Sequence, residues 1–301
     1  MKRLHDIVIP LVTPLTAEDR IDVDSLKNLT DYLIGKGVDC LYPCGTTGEM
    51  VYLTDEERML ITQTVVGAAK GRVPVFAHVG AANTDATIRL ARHAAACGAD
   101  GIGVVTPWYF RLSDCALEAF YREVSASVPE DFPVYLYAIR QNAGNDITAA
   151  LAERVAQMCP NVVGIKYSSP DMTRMQELMA VRDGSLDLLA GADHLYATVT
   201  VAGGKGVVSG NATILPEHYI AIRDAMAESD WQTAFRVQRR TNVLNAILCE
   251  KNNIGFYKFV LKALGVIATA NMRRPMERVS DEDGATRLEA LQKAEYQKTP
   301  L

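Results

Sequence analysis

The chain has 301 residues, of which 49% are hydrophobic and 22% are charged. This composition is that of an ordinary globular protein, and the length suits one large barrel domain or two smaller domains. The formal net charge of -5 argues against a nucleic-acid partner, because binding to the phosphate backbone needs a basic face.

Cysteine usage and the N-terminus predict the compartment of the protein. The six cysteines are scattered without a CxxC pair, so we expect reduced thiols and no metal site. The N-terminus reaches Asp6 before an apolar signal-peptide core forms, and no apolar run approaches the length of a membrane span. We therefore expect a cytoplasmic protein with no membrane partner.

Eight short apolar runs rich in Val and Ile predict eight strands. They cover residues 7–12, 38–42, 73–78, 101–105, 134–137, 162–166, 186–190 and 206–209. Their apolarity is continuous rather than alternating, which is typical of parallel strands that are buried on both faces. Helical segments lie between them, with start signals such as the capping-box pattern of Thr54 and Glu57 and the Asn83 that opens a helix ended by Gly98.

Eight strand–helix units predict an α/β fold, a (β/α)8 TIM barrel over residues 1–215 that contains the catalytic site. Further helices are expected at residues 216–226, 230–249 and 255–264. No Ser-, Gly- or Pro-rich linker precedes them, so residues 216–301 are interpreted as a C-terminal helical extension that packs on the barrel within a single structural unit. An open doubly wound sheet is the competing fold, but no GxGxxG follows the first strand.

A lysine, Lys166, closes the sixth apolar run. Burying an ammonium group is costly unless it is paired or neutral, and a desolvated amine is a good nucleophile toward carbonyl groups. Functional groups of a parallel barrel lie at the carboxyl ends of its strands, which is where Lys166 stands. The alternative is a lysine whose charged end reaches solvent at the rim of the barrel.

Three other segments near strand ends are candidates for function. The loop after the second strand reads GTTGE at residues 45–49; its glycines allow close backbone approach and its hydroxyls can bind a carboxylate, with a plain turn as the alternative. Tyr137 ends the fifth strand and is either a general acid and base or a core aromatic. The Gly-Gly-Lys-Gly stretch at residues 203–206 binds a phosphorylated substrate or, as we favour, forms a tight turn with an exposed lysine.

Together these segments resemble the dihydrodipicolinate synthase and N-acetylneuraminate lyase family, and the resemblance runs over almost the whole chain. The matching segments are residues 10–14 (PLVTP), 45–49 (GTTGE), 106–109 (TPWY), 164–166 (GIK) and 191–193 (GAD), together with Tyr137. The GTTGE loop combined with a GIK lysine at this separation is a specific combination.

The resemblance implies a class I lyase or aldolase that works through a covalent imine. The amine of Lys166 would attack the ketone of a 2-oxo acid, and the resulting Schiff base would be the electron sink for bond making or breaking. Gly45, Thr46 and Thr47 would hold the carboxylate of this small-molecule substrate. No metal or organic cofactor is expected.

The resemblance also implies a proton relay and an assembly. Tyr137 would be the proton shuttle, linked through Thr47 to Tyr109, which would reach in from a neighbouring subunit. The implied assembly is a homotetramer, built as a dimer of dimers.

The sequence departs from both named branches of the family. Asn142 stands where the synthase branch has an arginine for the carboxylate of the second substrate, and Arg140 stands where that branch has a proline. His194 and Gly210 replace an acidic residue and a serine that the lyase branch uses for the polyol chain of its sugar. Lysine biosynthesis and sialic acid cleavage are therefore disfavoured.

The remaining interpretation is an aldolase or a dehydratase for a 2-keto-3-deoxy sugar acid or a related hydroxy-2-oxo acid. Residues proposed to bind the rest of this substrate are Arg140, Asn142, Gly191, Asp193, His194, Val208 and Asn211. Ordinary loop structure is the alternative for the polar ones, and His194 alternatively only caps the helix that follows it.

Three other functions stay open at this point. One is a 2-oxo-acid-binding regulatory homologue without turnover, and another is an activity like that of the two named branches. The third is a phosphosugar barrel enzyme that uses residues 203–206.

Overall fold

The computed structural model describes residues 2–296 and places eight parallel strands at the centre of the molecule. The strands are β1 (Asp6–Ile9), β2 (Cys40–Leu41), β3 (Phe76–His78), β4 (Gly101–Val105), β5 (Val134–Ala138), β6 (Val162–Tyr167), β7 (Asp187–Ala190) and β8 (Gly206–Val208). Their order in the sheet is β2-β1-β8-β7-β6-β5-β4-β3, so each strand lies beside its sequence neighbour and β8 pairs with β1.

The sheet closes on itself between β2 and β3. A parallel bridge pairs Leu41 with Val75, and the Leu41 N–H donates to the carbonyl of Pro74 at 3.0 Å. The predicted (β/α)8 TIM barrel is therefore confirmed, and the open doubly wound sheet is wrong.

Several strands are shorter than the sequence predicted, and in two of them, β1 and β3, a proline stands at the shortened end. β1 ends at Ile9 rather than at residue 12, because Pro10 has no N–H to donate to the ladder. β3 begins at Phe76 rather than at residue 73, with Pro74 just before it. The carboxyl ends of the strands, which position the site, are otherwise close to the predicted ones.

Nine α-helices lie in the connections between the strands within residues 2–215, with two of them after β5 and two after β6. They are α1 (Val23–Lys36), α2 (Asp55–Ala69), α3 (Thr84–Ala96), α4 (Asp114–Ala126), α5 (Arg140–Ala143), α6 (Ala149–Met158), α7 (Met172–Met179), α8 (Val181–Gly184) and α9 (Tyr196–Val201). The predicted start signals operate, since Thr54 and Glu57 form a reciprocal capping box and Asn83 accepts from the Ala86 N–H.

Four helices follow β8. They are α10 (Pro216–Ala227), α11 (Trp231–Leu248), α12 (Asn253–Ala263) and α13 (Asp281–Tyr296). The first three match the predicted helices, and side chains of α10, α11 and α12 share one apolar cluster with β1. The boundary after residue 215 stays a prediction, and residues 297–301 of the predicted extension lie outside the described residues.

The fourth of these helices, α13, was missed by the sequence reasoning. Ser280 caps it by accepting from the Asp283 N–H at 3.1 Å, and three acidic residues follow in the first turn. Gly284 reads as a helix breaker in the sequence. In the structure it lets α13 approach α12, since a Cβ at Gly284 would lie 2.5 Å from the ring of Phe259.

The interior of the barrel is an apolar layer, to which Val8, Tyr42, Tyr135 and Val208 contribute buried side chains. This layer is the floor on which the carboxyl-end groups stand. Within residues 2–296, no helix combines the length and the apolar character that a membrane crossing requires.

Candidate active site

Lys166 lies on β6 in the enclosed interior of the barrel mouth. The residue is only 6% exposed. Its Nζ lies 4.0 Å from the ring centroid of Tyr137 and 5.6 Å from that of Tyr42. The two aromatic faces stabilise the cation while keeping bulk water away. The alternative of a lysine that reaches solvent at the rim is therefore wrong.

Tyr137 is the neighbour of Lys166 in the parallel pairing of β5 with β6. The tyrosine is fully buried, and its hydroxyl lies 3.2 Å from Thr46 Oγ1. Burial alone raises the pKa of Tyr137, but the positive charge of Lys166 and hydrogen bonds with Thr46, Lys166 and Ser168 outweigh it, so its pKa lies below the usual value. A phenol with a lowered pKa beside an amine is suited to moving protons.

The GTTGE loop, residues 45–49, forms a compact turn above this pair. The Gly48 and Glu49 N–H groups donate to the carbonyls of Gly45 and Thr46, each at 3.0 Å. Gly45 packs on the ring of Tyr42, where an added Cβ would lie 3.3 Å from the ring. The loop is thus more than a plain turn, because its fixed position brings the Thr46 hydroxyl to Tyr137.

The two threonines of the loop point to different places, which corrects one predicted link. The hydroxyl that meets Tyr137 is that of Thr46, whereas the sequence reasoning assigned this position to Thr47. Thr47 Oγ1 faces the turn after β8 instead, 3.5 Å from where a Cβ on Gly210 would lie. The pattern Thr-Thr alone does not tell which hydroxyl a tight turn directs inward.

His78 and Arg58 support the loop and Tyr137 from below. His78 Nδ1 donates to the Cys44 carbonyl at 2.9 Å, and its Nε2 accepts from the Val105 N–H at 3.4 Å, so the ring is a neutral tautomer. Burial lowers the pKa of His78 well below its usual value, and the charges of Arg58 and Lys166 lower it further. The neutral ring meets the Tyr137 ring edge-on, with centroids 5.8 Å apart.

Tyr109 does not reach the site of its own chain. It is 87% exposed, has a left-handed backbone with φ of 83°, and stacks edge-on with the exposed Phe110. A cavity of about 200 Å³ opens beside Thr46, between Val105, Trp108 and Asn142. The exposed tyrosine and this cavity leave room for a residue of a second chain, while the predicted role of Tyr109 stays a prediction.

The far side of the mouth carries a buried carboxylate, Asp193. One oxygen accepts from Asn211 Nδ2 at 2.6 Å, and Oδ1 has no hydrogen-bond partner among the described residues. Tyr257 of α12 donates to Asn211 Oδ1 at 2.6 Å and fixes this amide. Burial raises the pKa of Asp193 to about 6, against opposing hydrogen bonds and the charge of Lys166.

Gly191 and Val208 line the same mouth without offering polar side chains. A Cβ at Gly191 would lie 1.9 Å from Ser168 Oγ, so glycine is needed for Ser168 to occupy its position beside Tyr137. Val208 is a buried residue of the interior layer. Neither position offers a side-chain hydrogen bond to a substrate.

The other predicted binding residues lie farther out. Arg140 and Asn142 belong to the one-turn helix α5, and both are exposed, with Asn142 on the wall of the cavity beside Thr46. His194 is exposed in the turn before α9 and does not cap that helix, so the capping alternative is wrong.

The Gly-Gly-Lys-Gly stretch lies at the opposite end of the barrel. It leads into the amino end of β8, with exposed Lys205 and left-handed Gly203, as expected of a tight turn. Within residues 2–296, the cluster with metal-ligating geometry is His5, Asp6 and Asp39, also at the amino ends. Arg223 already pairs with Asp39 at 2.8 Å, which leaves little negative charge there for a cation.

Several site residues were missed by sequence reasoning. Ser168, Arg58, Tyr257 and Lys258 all contact site groups, and Lys258 forms a fully buried ion pair with Glu49. Ser168 had a signal, since it follows the strand-end lysine by two positions. The residues on helices, Arg58, Tyr257 and Lys258, had no such signal in the sequence. A polar residue within an amphipathic helix does not reveal which strand end its side chain meets.

The comparisons with known proteins agree with this geometry. The sequence matches the model of the Dihydrodipicolinate synthetase family over residues 3–294. It is 34% identical to the 4-hydroxy-tetrahydrodipicolinate synthase of Sorangium cellulosum over 286 residues, which is 95% of this chain and 94% of the relative. The chain belongs to the dihydrodipicolinate synthetase family.

Two further relatives cover the same length. A probable 2-dehydro-3-deoxy-D-pentonate aldolase of Escherichia coli, YjhH, is 30% identical over 287 residues, 94% of each chain. The crystal structure of YagE from Escherichia coli, a prophage protein of the dihydrodipicolinic acid synthase family in complex with pyruvate, has a TM-score of 0.91 at 26% identity and covers 97% of this chain and 98% of its own. The chain is thus a lyase of a family whose members act on 2-oxo acids through a Schiff base.

Proposed function

We propose that the chain is an aldolase or dehydratase for a 2-keto-3-deoxy sugar acid or a related hydroxy-2-oxo acid, acting through an imine on Lys166. The observation that carries the proposal is the placement of the Lys166 amine against Tyr137, whose hydroxyl meets Thr46. An amine enclosed by aromatic faces next to a phenol of lowered pKa is an arrangement for imine chemistry.

The reaction begins at the ketone of the substrate. The neutral amine of Lys166 adds to the carbonyl carbon, and loss of water gives a protonated imine. Gly45, Thr46 and Thr47 bind the carboxylate next to this carbon through backbone N–H groups and hydroxyls. This binding places the ketone over Lys166 and converts the addition into an intramolecular step.

Tyr137 moves the proton that the bond change requires. In an aldolase it removes the proton of the C4 hydroxyl, the C3–C4 bond breaks, and the electron pair enters the imine to give an enamine. In a dehydratase a proton leaves C3 and the C4 hydroxyl leaves as water. Thr46 orients the Tyr137 hydroxyl in both cases.

The polar groups on the far side support a substrate with hydroxyl groups. Asp193 Oδ1 is enclosed and has no hydrogen-bond partner among the described residues, so a substrate hydroxyl inserted beside it would satisfy this buried acceptor, while Asn211 holds the other oxygen in place. Asn142, where the synthase branch has an arginine, lacks the charge that a second carboxylate would need. The aldolase name of the relative YjhH supports the same substrate class, while the identity to the Sorangium synthase keeps that activity as the alternative.

The proposal includes an assembly and a compartment. The exposure of Tyr109 and the cavity beside Thr46 support a neighbouring chain whose Tyr109 completes the site, and the resemblance to the family extends this pair to a homotetramer, a dimer of dimers. The covalent imine takes the place of a cofactor. A cytoplasmic location stays part of the proposal.

The test is a screen of 2-keto-3-deoxy pentonates and hexonates with the purified protein, with pyruvate and 2-oxo products quantified by mass spectrometry. Release of pyruvate and an aldehyde identifies an aldolase, and a product lighter by one water identifies a dehydratase. The Lys166→Ala variant should have neither activity. Binding of 2-oxo acids without turnover of any substrate would contradict the proposal and favour the regulatory alternative.

A further inference from the structure

A fully buried ion pair joins the GTTGE loop to the C-terminal helices. Glu49 ends the loop, Lys258 lies in the middle of α12, and neither side chain has any exposed surface. Lys258 Nζ also donates to the Asn271 carbonyl at 2.7 Å. Glu49 Oε2 accepts from the Arg273 N–H at 2.8 Å. The loop is therefore held by groups from the segments after residue 250.

Stability alone does not account for such a pair. Removing two charges from water is costly, and an apolar pair of the same volume is often equally or more stabilising. Glu49 has in addition a left-handed backbone with φ of 62°, which costs free energy for a side chain other than glycine. Both costs persist because the pair fixes the loop in one conformation.

The conformation that the pair fixes is the one in which Thr46 meets Tyr137. The Glu49 N–H donates to the Thr46 carbonyl at 3.0 Å, so the backbone of Glu49 and the position of Thr46 are coupled. Arg273 strengthens the link, since its guanidinium pairs with Glu57 of α2 at 2.7 Å. A loop tied at Glu49 keeps the Thr46 hydroxyl and the loop N–H groups aimed into the mouth of the barrel.

We infer that Lys258 is a positioning residue for the substrate carboxylate, and that it acts through Glu49 on Thr46 and the loop N–H groups. Lys258 has no exposed surface and does not contact substrate. The inference rests on the proposed function, because it assigns these loop groups to the carboxylate of the 2-oxo acid. Through Lys258, α12 thus affects substrate binding without contacting the substrate.

The experiment separates positioning from stability with three variants. Lys258→Met leaves Glu49 buried without its partner, and the double variant Glu49→Gln/Lys258→Met removes both charges at nearly constant volume. Arg3→Met is the control, because it breaks an ion pair with Asp187 at 2.9 Å at the opposite end of the barrel. The measurements are the melting temperature and the pyruvate concentration that gives half-maximal borohydride trapping.

We expect the double variant to recover a melting temperature close to that of the wild type while its half-maximal pyruvate concentration stays raised by about tenfold or more, the scale of a misplaced binding group. Trapping at saturating pyruvate should persist, because Lys166 is intact. Arg3→Met should lower the melting temperature and leave the pyruvate concentration unchanged. A double variant that matches the wild type in both measurements would overturn the inference.

A second measurement keeps the inference separate from the proposed function. Amide hydrogen exchange of peptides over residues 45–50 should be faster in the double variant than in Arg3→Met. A wild type that pyruvate does not label would refute the proposed function, and unchanged exchange in the double variant would refute the positioning role.

Discussion

The two halves of the barrel mouth are built in different ways. The imine half consists of strand side chains, Lys166 and Tyr137, which stand on the close-packed interior layer and are buried. The distal half consists of loops and of the Tyr257 side chain of α12, with Asp193 held through Asn211 and with Arg140 exposed. A rigid half for chemistry and a separate half for recognition can be altered independently, and each change should affect one half only.

The largest expected effect concerns the proton shuttle. Tyr137→Phe should lower kcat by about 10²- to 10⁴-fold, the usual contribution of general acid–base catalysis, while pyruvate still labels Lys166. The control is Tyr135→Phe on the same strand, whose hydroxyl bonds Asp187 at 3.0 Å at the opposite end of the barrel. In stopped-flow and steady-state measurements, the rate of the control variant should stay within about twofold of the wild-type rate. Equal losses in both variants would mean that the tyrosine is a core aromatic.

The paired threonines sharpen the comparison within the imine half. Thr46→Val removes the hydroxyl that lies 3.2 Å from Tyr137 and should lower kcat by about 10- to 100-fold. Thr47→Val leaves that contact intact, so it should change KM more than kcat. Steady-state kinetics of the two isosteric variants show which threonine assists Tyr137. A larger loss of kcat in Thr47→Val than in Thr46→Val would favour the relay through Thr47.

The distal half should respond to pH through Asp193. Because burial raises its pKa to about 6, the group is protonated below that pH and no longer accepts as a carboxylate from a substrate hydroxyl. KM for a hydroxylated substrate should therefore rise as the pH falls from 7 to 5. Asp193→Asn should have a KM about tenfold higher that is flat over this range. The pH profile of pyruvate trapping should be the same in the wild type and in Asp193→Asn. A trapping profile that changes together with KM would contradict the division of the mouth into two independent halves.

The smallest expected effect concerns the aromatic ring of Tyr42, which lies beside the Lys166 amine. Tyr42→Leu removes one of the two aromatic faces beside the Lys166 nitrogen and should slow formation of the protonated imine severalfold, because a cation–π contribution of about 0.5–1 kcal/mol to the positive charge that develops on the nitrogen as water leaves is lost. Tyr42→Phe retains the ring and should match the wild-type rate, because the Tyr42 hydroxyl has no hydrogen-bond partner among the described residues. Trapping rates at limiting pyruvate measure the difference. A slow Tyr42→Phe would assign a role to the hydroxyl instead.

The imine half could be predicted from the sequence because strands carry their own markers. Lys166 and Tyr137 each close a continuous apolar run, and a parallel barrel brings all strand ends to one face. The GTTGE loop follows a third such run. The sequence could not predict which of the two hydroxyls, that of Thr46 or that of Thr47, points toward Tyr137. Backbone geometry of the turn decides this direction, and both residues are of the same type.

The distal half could be predicted only in part. Asp193 and Asn211 follow strands and were proposed, but Tyr257 lies on α12, and the pattern of a helix does not reveal its docking partner; the same holds for Lys258 of α12, which meets the GTTGE loop instead. The same limit applies to α13, because Gly284 argues against a helix locally and is explained only by the close approach of Phe259. The roles of these residues depend on tertiary contacts between segments that are distant in sequence. Such contacts leave no recognisable pattern in a single sequence.

The most direct measurement is intact-protein mass spectrometry after incubation with pyruvate and sodium borohydride, followed by peptide mapping. We predict one reduced pyruvyl adduct per chain, located on Lys166 and absent from Lys166→Ala. An adduct on another lysine, or no adduct on the folded wild-type protein, would contradict the assignment of the imine to Lys166.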